Sequence, residues 1–137
     1  MTTTPLTEDE KAALVAVATA VRLRAEAPYS RFLVGAALLA EDGSVHPGCN
    51  VESASYGLTI CAERNAVFRA IADGKRGFRA VAVVIDGETS LPCGACRQVL
   101  WDQCGDIEVI LAPLRGTTET VRLSALLPRA FELGADR

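Results

Sequence analysis

The chain has 137 residues, 50% of them hydrophobic and 23% charged, with a formal net charge of −3 and a mean hydropathy of +0.23. One domain over residues 1–137 is expected at this length, and the composition excludes intrinsic disorder. With no basic run to meet a phosphate backbone, nucleic acid is not an expected partner, and the five cysteines beside a single histidine exclude metal chemistry built on two or three imidazoles.

In chain order, Thr7, Glu8, Asp9 and Glu10 read as a capping box. Leu14, Val17, Val21 and Ala25 then recur at helical spacing, in a helix that must end before Pro28. Residues 33–40 form a continuous apolar run suited to a buried strand, and 41–44 read as a hairpin turn into a return strand over 45–51. His46 is expected on the surface of that hairpin. The spacing predicts a helix over 61–73, stopped at Gly74, and a buried strand over 80–86. A short helix over 93–103, a strand over 107–112, another around 119–122 and a partly helical stretch over 123–131 complete the pattern. This order points to an α/β sandwich with helices covering a mixed sheet.

The longest apolar run, 33–40, is far short of the ~20 residues that cross a bilayer, so no membrane partner is expected. The start, Met1-Thr2-Thr3-Thr4-Pro5, has neither the basic nor the apolar region of a secretory signal. An odd cysteine count without such a signal argues against a disulfide framework, and a reducing, cytoplasmic location is expected.

The chemistry lies in Cys61-Ala62-Glu63-Arg64 and Pro92-Cys93-Gly94-Ala95-Cys96-Arg97-Gln98. Each stretch begins at an expected helix N-terminus, where unpaired N–H groups and the dipole stabilise a thiolate. Cys93 and Cys96 lie three apart and can grip one ion, with Cys61 as a third sulfur. Three protein ligands on zinc leave the fourth position to water, the mark of a catalytic site. Glu63, two residues after Cys61, can approach without ligating and move the water's proton. Arg64 and Arg97 are placed to donate to the sulfurs and offset their charge. Three other readings stand beside this one. Cys93 and Cys96 could be a redox dithiol, Cys49 or Cys104 could close a structural zinc site, or all five cysteines could be packing residues. Cys49 and Cys104 read best as small buried hydrophobes.

Taken together, these motifs resemble those of the zinc-dependent cytidine deaminases that form small homotetramers. The resemblance runs through Tyr29-Ser30-Arg31-Phe32-Leu33-Val34-Gly35-Ala36-Ala37, Gly48-Cys49-Asn50-Val51-Glu52 and Ala54-Ser55-Tyr56-Gly57-Leu58-Thr59-Ile60-Cys61-Ala62-Glu63-Arg64. It continues in Pro92-Cys93-Gly94-Ala95-Cys96-Arg97-Gln98-Val99-Leu100 and Leu126-Leu127-Pro128-Arg129-Ala130-Phe131. It implies a three-layer α/β/α fold with a mixed central sheet of about five strands. It also implies one Zn2+ per subunit on Cys61, Cys93 and Cys96, and hydrolytic deamination of cytidine and 2′-deoxycytidine in pyrimidine salvage. Zinc-bound hydroxide would attack C4, with Glu63 as the proton shuttle. Asn50 and Glu52 would hold the ribose hydroxyls, Phe32 would pack on the nucleoside, and the Ala62 N–H would donate to the pyrimidine carbonyl. Ala54, Tyr56 and Phe131 would reach the sites of neighbouring subunits in a homotetramer.

Taken one at a time, Phe32, Tyr56 and Phe131 read more readily as core aromatics, and only the resemblance reverses that. Deamination of another cytosine nucleoside, and a non-catalytic zinc scaffold, are the competing functions. Nucleotide and RNA deaminases carry a His-x-Glu ligand motif, whereas here His46 is followed by Pro47 and Gly48. Two departures from the family pattern are Ser53, where Asn is usual, and a tail after Phe131 that is shorter than in some relatives.

Overall fold

The computed structural model describes residues 4–134; residues 1–3, part of the stretch read for a secretory signal, and 135–137 lie outside them. The first helix, α1 (Glu8–Arg22), opens on the expected capping box, with the Thr7 side chain accepting from the Glu10 N–H and the Glu10 carboxylate accepting from the Thr7 N–H. A hairpin of β1 (Val34–Ala40) and β2 (Val45–Cys49) follows, then a single 3-10 turn at Tyr56–Leu58 and α2 (Ala62–Ala72). Gly74, at φ 87°, ends α2 as expected. Its N–H reaches the Ile71 carbonyl and the Lys75 N–H reaches Ala70, a closing pair that needs a left-handed residue. Next come β3 (Phe78–Ile85), α3 (Gly94–Cys104), β4 (Glu108–Pro113), β5 (Glu119–Arg122) and the short α4 (Leu123–Leu126).

The sheet has five strands in the order β2-β1-β3-β4-β5. It is mixed: β3 and β4 run parallel, and the other neighbours are antiparallel. A parallel pair needs a crossover, and α3 provides it. One face packs Ala36, Leu38, Val81 and Val109 against Ala66, Val67 and Ala70 of α2 and Leu100 of α3. The other face packs Ala37, Ala82, Val84 and Ile110 against Leu14 and Ala18 of α1. The result is the three-layer α/β/α architecture.

Two glycines set how closely the layers approach. A Cβ at Gly35 would lie 1.9 Å from the Ala18 carbonyl oxygen of α1, and one at Gly48 would lie 2.4 Å from the Ala66 nitrogen of α2. Because the Gly48 obstruction is helix backbone, Gly48→Ala is expected to push α2 off the sheet and cost about 1–3 kcal/mol, read as a lowered thermal midpoint. Activity should fall with it, since α2 carries Ala62, Glu63 and Arg64 and has Cys61 as its N-cap residue.

The structure corrects three sequence expectations here. The buried stripe of α1 is Leu14 and Ala18, while Val17 and Val21 are half-buried and line an open groove of about 630 Å³ with Pro47, Cys49 and Arg69. Cys49 is accordingly half-buried, and only Cys104 of the two bystander cysteines is buried. His46 is 6% exposed and not a surface residue. The pleat turns it, like Gly48, toward α2, where its ring meets the Ser44 hydroxyl at 2.8 Å and the Asp73 carboxylate at 3.6 Å.

Candidate active site

Antiparallel pairing of β1 with both neighbours places the start of β1, the end of β2 and the end of β3 at one edge of the molecule. That is the carboxyl end of the parallel pair, where open α/β sheets bind ligands. Two chain segments cross it. Mutual backbone hydrogen bonds of 3.0 Å between Val51 and Ile60 hold the residues before α2 beside the stretch that leaves β2. Asn65 strengthens this join, its Nδ2 donating to the Cys49 carbonyl at 2.9 Å. Sequence reasoning gave Asn65 no role, although a poor helix former inside a helix was a signal.

Cys61 is the N-cap residue of α2, Cys93 is that of α3, and neither side chain caps its own helix. The first-turn N–H groups of both helices are thereby left available to a bound group. Cys96 follows in the first turn of α3 and is fully buried. The three Sγ atoms all lie within 4.8 Å of one another, and Cys61 and Cys93 are 3.6 Å apart. Tetrahedral zinc with bonds of about 2.3 Å sets its sulfurs ~3.8 Å apart, so this donor set fits the ion. Cys104 sits in the core at the end of α3, Cys49 lines the groove, and neither belongs to the cluster. The closed structural site and the packing reading both lose their geometric basis.

Charge is distributed unevenly over the thiols. The Cys96 thiol donates to the Cys61 sulfur and, helped by Arg64 and Cys93, holds Cys61 down to about 5 against the effect of burial. Cys96 is pushed strongly up by the same contact and by burial. Arg64 Nη2 lies 3.5 Å from the Cys61 sulfur, and its buried Nε has no hydrogen-bond partner among the described residues. Arg97 departs from expectation. Its Nε and Nη1 donate to the carbonyls of Pro92 and Leu126, each at 2.8 Å, because these carbonyls lie within its reach as α4 folds back on α3. It braces the loop that carries Cys93 and gives nothing to the sulfurs. Arg64→Gln is therefore expected to weaken zinc retention and turnover by about 10–100-fold, measured by competition with a chelator and by steady-state kinetics.

Glu63 lies in the first turn of α2, is 3% exposed and stands outside the cluster of ligand atoms. Burial pushes its carboxyl up to about 7, and the negative charge on Cys61 adds to the rise. A carboxyl poised there both accepts and returns a proton near neutral pH.

Phe32, Asn50 and Glu52 lie where the start of β1 meets the chain leaving β2, at the same edge of the sheet. The Asn50 amide is buried and already engaged, with Oδ1 accepting from the Val34 N–H and Nδ2 donating to the Phe32 carbonyl, both at 2.8 Å. One N–H and one acceptor position of that side chain remain. Glu52 accepts from the backbone of Tyr29 and Ser30 and from the Ser30 hydroxyl. Phe32 is half exposed, at 47%, and Ala62, buried at the head of α2, offers its N–H at the helix start. Ala54, Tyr56 and Phe131 are exposed on the single chain, so none is a core aromatic or packing residue. Phe131 is tethered through its carbonyl, which accepts from Gln98 Nε2 at 2.9 Å. Ser53 keeps a local hydrogen bond through its hydroxyl, which accepts from the Ser55 N–H.

A metal centre with three protein donors, at the carboxyl end of a mixed sheet, is the construction of a zinc-dependent hydrolase. The comparisons then narrow that class. The family model for the cytidine and deoxycytidylate deaminase zinc-binding region matches residues 7–112. The cytidine deaminase of Sporosarcina psychrophila is 51% identical over 120 residues, covering 86% of this chain and 88% of that protein. The cytidine deaminase of Halalkalibacterium halodurans is 52% identical over 120 residues, covering 86% and 91%. The crystal structure of cytidine deaminase from Burkholderia pseudomallei superposes with a TM-score of 0.84 at 48% identity, covering 92% of this chain and all of that one. The chain belongs to the cytidine and deoxycytidylate deaminase family.

Proposed function

We propose that the protein hydrolyses cytidine and 2′-deoxycytidine to uridine and 2′-deoxyuridine, releasing ammonia, as a step of pyrimidine salvage in the cytoplasm. The observation that carries this reading is Glu63, a buried carboxyl held near pH 7 beside three gathered thiols. A redox dithiol or a structural zinc scaffold has no use for it.

Cys61, Cys93 and Cys96 would hold the zinc, which supplies the Lewis acidity that makes water a competent nucleophile at neutral pH. Glu63 takes the proton from the attacking water, delivers it to N3 of cytosine, and then serves the departing amine. The Ala62 N–H donates to the pyrimidine carbonyl oxygen. Asn50 and Glu52 meet the ribose hydroxyls, and Phe32 covers the nucleoside. Arg64 offsets the negative charge of the sulfurs.

The same reading extends to assembly: residues 1–137 act as one catalytic domain in a homotetramer with shared active sites. Tyr56 at 59% exposed, Leu58 at 68% and Phe131 at 68% support it, because such aromatic and aliphatic groups gain most by being covered. Ala54, Tyr56 and Phe131 would then complete the site of a neighbouring subunit.

Loss of cytidine ultraviolet absorbance tests the reaction, with CMP as the comparison substrate and a free-thiol count alongside. Turnover of cytidine with three thiols protected per zinc is expected. Four protected thiols and no turnover would replace the enzyme with a structural zinc protein.

A further inference from the structure

We propose that Ser30 is a positioning residue for the sugar, a hydroxyl that locks the Glu52 carboxylate and the Phe32 backbone into one arrangement before a nucleoside arrives. The proposal rests on the reading of Asn50 and Glu52 as the groups that meet the ribose hydroxyls.

The Ser30 hydroxyl stands at a junction. It donates to Glu52 Oε2 and accepts from the Phe32 N–H at 3.0 Å. Glu52 Oε1 takes the N–H groups of Tyr29 at 3.0 Å and Ser30 at 3.1 Å. The residue between Ser30 and Phe32 is Arg31, at φ 59°, a left-handed conformation that a non-glycine residue keeps only where its surroundings hold it. Those surroundings are stitched at both ends. Glu26 exchanges backbone hydrogen bonds of 3.0 and 2.8 Å with Asn50 and Glu52, while Asn50 clamps the Phe32 carbonyl and the Val34 N–H from the other side. Ser30 alone ties the loop's centre to a side chain of the sugar pair and to the aromatic residue at once.

Three donors on one carboxylate keep Glu52 ionised, its acidity raised first by the Ser30 hydroxyl. An ionised carboxylate only accepts hydrogen bonds, so it welcomes a sugar hydroxyl and gains nothing from a sugar lacking one. With both oxygens already oriented, the remaining lone pairs point where the loop sets them, and little ordering is left for the binding step. Glycine or alanine at position 30 would also complete the turn, but neither could make this link.

The test compares Ser30→Ala and Ser30→Thr with the parent, all zinc-loaded. Cytidine serves as substrate, and 2′,3′-dideoxycytidine serves as a competitor whose inhibition constant is read. Ser30→Ala is expected to raise KM for cytidine about tenfold, the scale of one charge-assisted hydrogen bond, with kcat within about twofold. The inhibition constant of the dideoxy competitor, which loses only the Phe32 support, should rise clearly less than KM for cytidine, and Ser30→Thr should restore KM. The Glu52 carboxyl, followed by carbon NMR, should titrate at higher pH in Ser30→Ala than in the parent. Equal weakening of cytidine and the dideoxy competitor, a loss confined to kcat, or an unchanged KM would overturn the proposal while leaving the deaminase reading intact. A parent protein inactive on cytidine would overturn that reading and this inference with it.

Discussion

Replacing Glu63 with glutamine is expected to lower kcat for cytidine by about 10⁴-fold while the protein keeps its fold and its zinc. General acid–base catalysis contributes about 10²–10⁴-fold when one positioned group handles one proton. Here the same carboxyl serves the attacking water, N3 of the base and the leaving amine, so the upper end applies. Retention of the fold follows from the environment. Glu63 is 3% exposed, and burial already favours its neutral form, which a neutral amide of the same shape imitates. Zinc is retained because Glu63 is not among the ligand atoms. Glu63→Ala should lose as much turnover, with an additional loss of stability from the space left in α2. Steady-state kinetics, metal analysis and thermal melts on the same preparations decide the matter. Wild-type turnover in Glu63→Gln would remove the proton shuttle, and loss of zinc would instead make Glu63 part of the metal centre.

Much of this site was legible because its chemistry is tied to local signals. Cys61 and Cys93 open helices, and helix starts are marked in sequence by the change from turn residues to a periodic run. Glu63 and Cys96 then follow by counting along one turn. The strands were legible for a similar reason, since residues 80–84 are buried on both faces of the sheet and so form an unbroken apolar run. Contacts between distant segments were not legible. Val17 and Val21 look like the core face of α1, but Ala18 lies against Gly35 of the sheet, Val17 packs only partly on the core, and both valines line the groove. Nothing in the local sequence announces that approach. His46 lies two residues after a polar hairpin turn, yet the pleat sends it under the end of α2. Arg97 stands next to a ligand cysteine and still spends its donors on carbonyls, one of them 29 residues away at Leu126.

Asn50 and Glu52 show the same limit in the site itself. Their residue types suit a sugar, but the structure uses most of the Asn50 amide to hold the backbone of Phe32 and Val34. The surface proposed to meet the sugar is therefore a loop built by these two side chains as much as a pair of groups facing solvent. A substitution at Asn50 would disturb the position of Phe32 together with any contact to ligand, so its effect alone cannot divide the two roles. Ser30→Ala leaves both proposed sugar-facing side chains in place and removes only a support, so it reports on positioning and not on a lost contact.

Cys96→Ser is expected to abolish zinc retention and turnover together, whereas Cys104→Ser should spare both. The two cysteines sit on the same helix and are both buried, at 0% and 8% exposed, so composition and burial do not distinguish them. Their neighbours do. Cys96 contacts Cys61 and lies within 4.8 Å of both other sulfurs, and a serine there offers a shorter, far less acidic oxygen to zinc. Zinc affinity should fall by more than about 10²-fold and activity should become undetectable without added metal. The Cys61 thiolate also loses the thiol that donates to it, so its acidity should move back toward that of an ordinary cysteine. Cys104 has no such partner among the described residues. Burial alone pushes its thiol up to about 12, so it remains a neutral packing group. Cys104→Ser places a hydroxyl among Leu100, Ile107 and Leu123, at a cost of about 1–3 kcal/mol in stability. Alkylation after chelation gives the independent check. Cys61 and Cys93, half-buried and exposed, should label before either buried thiol, and Cys104 should label only as the protein unfolds. Zinc loss in Cys104→Ser at wild-type thermal stability would show a four-cysteine centre and end the case for an open catalytic position.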